Sequence, residues 1–145
     1  MPAAEFQHTL AKAASLSGTS LHTGSRVSLK IQPAPPNAGI KFKRKDLQDE
    51  PTIDATIANV KTVERATTIG EGSMRVHTVE HVLAALSGLG VDNAMIEMDA
   101  NEPPIGDGSA LMYVEAIRKA GVIPLEAPRL LFHTREPISI ETKSG

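Results

Sequence analysis

Val79, Val82, Leu83, Leu86 and Leu89 form an apolar stripe at steps of three and four in a chain whose other apolar residues mostly alternate with polar ones. That spacing puts all five on one face of an α-helix. Val27, Leu29 and Ile31 alternate with Ser28, Lys30 and Gln32, and Ala94, Ile96 and Met98 repeat the pattern. Such alternation is the period of a half-buried strand. A helix with one apolar face, set among half-buried strands, has to lay that face on a sheet. The predicted class is therefore α+β, a mixed or antiparallel sheet packed against two helices.

The second helix is predicted over residues 110–120, capped by Asp107 or Ser109 and closed by Gly121. The first starts with His77 or Thr78 near its N-cap and ends at Gly88 or Gly90. The cluster Pro33, Pro35, Pro36, Asn37 and Gly39 reads as a turn joining the strand at Val27 to a second strand at Ile40, Phe42 and Arg44, in a hairpin. Ile53, Ala55 and Ile57 alternate again, and short strands are expected at 67–69 and 74–76. Residues 101–108 form a loop rich in Pro, Gly and acid. Residues 124–128 read as a linker, and 129–132 and 138–141 as new strands. Two strands cannot bury a face by themselves. The predicted organisation is one domain over 1–126, followed over 127–145 by a linker and the first strands of an incomplete second domain.

With 145 residues, of which 41% are hydrophobic, the chain can build one real core. Three Phe, one Tyr and no Trp mean an aliphatic core and argue against base stacking on single-stranded nucleic acid. A net charge of −2 gives no general attraction to polyanions, so nucleic acid is not an expected partner. The basic run Lys41–Lys45, broken by Phe42, reads as a strand with a solvated face. Cysteine is absent, which excludes disulfides and thiolate metal sites and suits a cytoplasmic setting. The longest purely apolar run, Val82–Leu86, is far too short for a membrane span, and the first residues lack a secretory-signal pattern. Membrane contact is expected to be peripheral at most.

Chemistry concentrates at Thr78-Val79-Glu80-His81. A carboxylate beside an imidazole supplies a zinc hydrolase with a base and one metal ligand. Neighbouring helix positions lie about 100° apart around the axis, so one group can bind metal while the other reaches water. With His77, the segment also matches H-x-x-E-H, the inverted zinc-peptidase pattern. That reading needs His77 inside the helix and a third ligand such as Glu136 or Glu141, yet His77 follows the strand-like Met74-Arg75-Val76. A plain surface Glu–His pair is the competing reading. The turn Leu21-His22-Thr23-Gly24 carries another of the five histidines, which are His8, His22, His77, His81 and His133.

Taken together, Ser20-Leu21-His22-Thr23-Gly24, the Pro33-Ala34-Pro35 turn, the segment from Thr78 to Leu86, Gly90-Val91-Asp92-Asn93 and Asp107-Gly108-Ser109-Ala110 resemble UDP-3-O-acyl-N-acetylglucosamine deacetylases, the zinc amidases of lipid A biosynthesis, in order and spacing. The likeness runs over residues 8–142. It implies the first of two similar α+β domains with the active site between them, a zinc cofactor, His81 as a zinc ligand and Glu80 as general base. Leu21 and His22 match a turn at the active-site entrance, and Arg65 to Thr67 match a short insert near the site. Asp107 matches a structural loop. The remaining His and Asp ligands, with a Lys and a His for the oxyanion and the leaving amine, belong to the family's second domain. The implied substrate is a UDP-acyl-glucosamine, acted on by a monomer once the missing second domain is supplied. Some relatives are also fused to an acyl dehydratase. Ser20 stands where Gly is usual, His77 where Ser is common and Gly106 where Met is usual. A stand-alone, non-catalytic domain acting as an interaction module is the other alternative.

Overall fold

A computed structural model describes residues 6–132 and 134–142. The core is a five-stranded mixed sheet in the order β2-β3-β9-β4-β5, made of β2 (Ala14–Thr19), β3 (Arg26–Pro33), β4 (Ile40–Arg44), β5 (Thr52–Asp54) and β9 (Ala94–Met98). One face of it carries Val27, Leu29 and Ile31 from β3, Ala94, Ile96 and Met98 from β9, and Phe42 from β4, all at most 2% exposed. Register puts Leu29 opposite Met98 and Ile31 opposite Ile96 across the β3–β9 pair, and Phe42 opposite Ile96 across β4–β9. The alternation read from the sequence is thus the inner face of this sheet.

Helices α1 (Glu80–Gly88) and α2 (Leu111–Ala120) close that face. Val82, Ala85 and Leu86 of α1 and Tyr113, Ile117 and Ala120 of α2 are buried in the same cluster as the sheet residues. The end of α1 is a Schellman turn: Val91 N–H donates to the Leu86 carbonyl at 2.9 Å, with Gly90 in the left-handed region at φ 71°. The expected α+β architecture and both helices are present.

Two further groups of strands flank this layer. β6 (Val60–Thr62), β7 (Thr68–Glu71) and β8 (Met74–Val76) form an antiparallel meander. β1 (Phe6–Leu10) pairs antiparallel with β10 (Val122–Pro128). Asp92 fastens this ribbon to the core, since its Oδ2 accepts the His8 N–H and an Arg129 Nη2 hydrogen, each at 2.7 Å.

Four expectations need correction. β3 and β4 are not a hairpin, because β9 lies between them, antiparallel to β3 and parallel to β4. The six residues of the turn, 34–39, span two strand spacings, about 10 Å, where a tight hairpin spans one. Residues 124–128 are not a linker but most of β10. Pro124 and Pro128 fit there because an edge strand can forgo an N–H donor. Position 126, the expected boundary, falls inside this strand.

The other two concern alternation without a face to bury. Residues 129–132 and 138–141 hold no regular strand, and Leu130, Phe132, Ile138 and Ile140 are exposed. β5 stops at Asp54, so Ile57 sits exposed in a 3-10 turn over Ile57–Asn59. His133 and residues 143–145 lie outside the described residues, as do residues 1–5. The basic run is most of β4 and the residue after it, with Lys41, Lys43 and Lys45 paired to Asp54 and Glu50. Arg44, however, turns inward at 5% exposure and grips Asp46 with two hydrogen bonds.

Phe42→Ala should cost roughly 3–5 kcal/mol as an unfilled core cavity, and Lys43→Ala less than about 1 kcal/mol as a lost surface pair. Urea denaturation of both variants checks this, and equal losses would refute the inward and outward assignment of β4.

Candidate functional site

β8 delivers the chain to the N-terminus of α1 through His77, Thr78 and Val79. His77 donates its N–H to the Asn101 carbonyl at 2.8 Å, and its ring Nδ1 lies 2.9 Å from the Thr68 hydroxyl. Burial, with the nearby Arg75 and Arg44, holds the His77 imidazole below its ordinary pKa, against an opposing pull from Glu102. Thr78 has φ 53°, a left-handed backbone. A β-branched residue there costs on the order of 1–3 kcal/mol and persists only where its surroundings over-determine it. The helix opens on Glu80, one residue after the Val79 N-cap.

Glu80 is half-buried in the first turn of α1. Its Oε2 accepts the Thr67 N–H at 3.0 Å, and the Thr67 carbonyl accepts the Val79 N–H at 3.3 Å. The carboxylate also sits at the positive end of the helix dipole. Its Oε1 has no hydrogen-bond partner among the described residues. His81 follows on the helix, also half-buried.

The centre of the site is a residue the sequence did not single out. Glu102 is 0% exposed and bonded on both oxygens. Oε1 accepts the Thr78 hydroxyl at 2.7 Å and lies 2.9 Å from His22 Nδ1. Oε2 accepts the His22 and Thr23 N–H groups at 3.1 and 2.9 Å. Burial pushes the Glu102 carboxyl upward, but the bonds from Thr78, Thr23 and His22 outweigh it and hold the group down at about 2. The Ser20 hydroxyl donates to the Glu102 carbonyl at 2.8 Å, so the serine at this position gains a backbone anchor that a glycine would lack.

Each residue predicted for the site can now be placed. Thr67 and Glu80 come together, but through the backbone of Thr67. His22 joins Thr78 and Glu102 at the start of α1. Leu21 is exposed in the same turn, and Arg65 is exposed with φ 59°. His77 lies before the helix, so it does not share a helical face with His81, as an inverted peptidase motif requires. Asp107 caps its own loop by accepting the Ser109 N–H and hydroxyl. Gly106 sits where an added Cβ would meet Met112 Sδ at 2.6 Å, so Met112 fills the space there.

The donor set does not complete a metal site. Among the described residues no group of three or more His, Asp or Glu is arranged to hold a metal ion. His81 offers one imidazole where a catalytic zinc needs about three protein ligands. Nor is any helix among the described residues long and apolar enough to cross a membrane.

The sequence matches the family model for UDP-3-O-acyl N-acetylglycosamine deacetylase over residues 7–145. It is 46% identical over 139 residues to a UDP-3-O-acyl-N-acetylglucosamine deacetylase of Myxococcus xanthus, covering 96% of this chain and 44% of that protein. A deacetylase of the same name from Methylococcus capsulatus is 44% identical over 135 residues, covering 93% of this chain and 44% of its own length. A protein of Chlorobaculum tepidum named bifunctional enzyme LpxC/FabZ is 47% identical over 123 residues, 85% of this chain and 26% of that protein. The chain thus spans less than half the length of these relatives.

The depressed Glu102 carboxyl has a pH signature. A group held down at about 2 in the folded state, from an ordinary 4.5, contributes stability that is fully present above about 4.5 and is lost as pH falls toward 2. Glu102→Gln should flatten the stability profile between those limits and lower stability at neutral pH by roughly 3 kcal/mol. Denaturation midpoints of both proteins across that range check this, and parallel profiles would refute it.

Proposed function

The chain belongs to the UDP-3-O-acyl N-acetylglycosamine deacetylase family, and on that premise we propose that its protein hydrolyses the N-acetyl group of a UDP-3-O-acyl-N-acetylglucosamine, an early step of lipid A biosynthesis. The observation that carries the reading is Glu80. It is half-buried at a helix N-terminus, fixed through Oε2 by the Thr67 N–H and open at Oε1, with an imidazole one residue on.

Amide hydrolysis needs a water to lose a proton as its oxygen bonds the acetyl carbon. Glu80 Oε1 takes that proton as general base. The C–N bond then breaks, the amine nitrogen gains a proton, and acetate and a free glucosamine amine result. His81 would be one zinc ligand, with the remaining donors supplied by the part of the sequence that the relatives possess beyond this match. Zinc held there would supply Lewis-acid activation of the water. Leu21, His22, Arg65 and Thr67 border the substrate, with Leu21 and Arg65 exposed for contact. Leu21 is the apolar member of that border and faces an acyl chain more readily than a nucleotide. A second, similar domain as partner, a monomeric state and a cytoplasmic location go with this reading.

In the full-length protein, Glu80→Ala should lower turnover by on the order of 10²–10⁴ while bound zinc is retained. His81→Ala should lose zinc by metal analysis. Undiminished deacetylation by Glu80→Ala removes the base assignment, and unchanged zinc in His81→Ala removes the ligand assignment.

A further inference from the structure

The arrangement around Glu102 assigns a role to a residue that the catalytic reading leaves unused. We propose that Glu102 is a positioning residue that locks the His22 imidazole in its Nδ1–H tautomer and presents Nε2 to the substrate. The proposal rests on the deacetylase reading for the identity of that substrate, but not for the tautomer.

The geometry leaves little choice. An ionised carboxylate can only accept hydrogen bonds. Glu102 Oε1 stands 2.9 Å from His22 Nδ1 in a position closed to solvent on the carboxylate side. A bare Nδ1 would set two lone pairs against each other, so Nδ1 carries the hydrogen. The protonated ring nitrogen of a histidine is set by the bond its other nitrogen makes. The rest of the network agrees in polarity. The Thr78 hydroxyl donates to Oε1 at 2.7 Å, which leaves its oxygen lone pairs facing His22 Nδ1, 3.3 Å away.

In the neutral ring Nε2 is then the nitrogen without hydrogen, on a side chain 43% exposed and with no hydrogen-bond partner among the described residues. It is an acceptor for a hydroxyl or N–H hydrogen, of the kind a sugar presents. The turn that carries the ring is held by the same carboxylate, which also accepts the His22 and Thr23 N–H groups at 3.1 and 2.9 Å. Side chain and backbone of the turn are gripped by one group. Through Thr78 that group also holds the residue two before Glu80, which sets the acceptor nitrogen and the base in one frame.

The test is nitrogen-15 NMR of the histidine rings in the full-length protein above the histidine titration range, with His22→Gln to assign the signal. Wild type should show a protonated Nδ1 and a bare Nε2 on His22, and Glu102→Gln should shift the ring toward Nε2–H. The same variant should raise KM for the UDP-acyl-glucosamine about tenfold, keep kcat within about twofold and keep its zinc. A wild-type ring protonated at Nε2 overturns the proposal. So does a folded Glu102→Gln protein whose tautomer or KM is unchanged, which is what a purely structural clamp would give. If Glu102→Gln does not fold, the wild-type signal alone decides. A wild-type protein that shows the Nδ1–H ring but no deacetylation overturns the proposed function and leaves the tautomer lock standing.

Discussion

A buried carboxylate with no water around it is unstable unless donors replace the solvent it gave up. Glu102 is in that position, and the arrangement of the site follows from how it is satisfied. Its four donors are the His22 and Thr23 N–H groups, the His22 ring and the Thr78 hydroxyl. Three come from the turn between β2 and β3 and one from the entry to α1, so with the loop that carries Glu102 three distant stretches of chain meet at one side chain. Losing any donor leaves charge uncompensated in a dry place. The turn and the helix start are therefore fixed relative to each other far more firmly than a loop and a helix end ordinarily are.

The layer beneath makes this possible. β9 ends at Met98, and the chain reaches Glu102 within four residues. Because β9 is the central strand, inserted between β3 and β4, that loop emerges from the most constrained part of the sheet. The β2–β3 turn springs from the neighbouring strands, and Ile105 N–H donates to the Thr19 carbonyl at 3.0 Å, which ties loop to turn again. Rigid elements thus place His22, Thr78 and Glu102 relative to one another, and accurate orientation is what the proposed chemistry would require.

Much of this could be read from the sequence, and the limits have physical causes. The stripe from Val79 to Leu89 and the alternation in β3 and β9 were legible because burial of one face imposes a period. Glu80 and His81 stood out because a carboxylate beside an imidazole is a chemically suggestive pair, and the structure sets both in the first turn of α1. The pairing of β3 with β9 was not, since alternation says which face is buried and nothing about which strand lies beside it. β10 was hidden by its two prolines, which mark a break in most contexts and are tolerated here at an edge. The strands expected beyond Arg129 show the converse: alternation without a face to cover gives exposed Leu130, Phe132, Ile138 and Ile140. Glu102 was hidden for a different reason. It stands in Asn101-Glu102-Pro103-Pro104, a loop with no period, and only the fold shows that its carboxylate faces inward.

The strain at Thr78 is tied to the same carboxylate. A threonine at φ 53° is unfavourable by itself, and a glycine would relieve it. Glycine would also remove the hydroxyl that Glu102 accepts and that faces His22. The left-handed backbone reverses the chain between β8 and α1, which turns Val79 N–H toward the Thr67 carbonyl and brings Glu80 beside the Thr67 N–H. The strain at Thr78, the buried charge of Glu102 and the Glu80 carboxylate are thus consecutive links of one arrangement. The carboxylate at 102 stabilises the threonine, and the threonine's backbone aims the helix whose first residue is Glu80. A site built this way gains its accuracy from a costly conformation held by a costly charge, each of which supports the other.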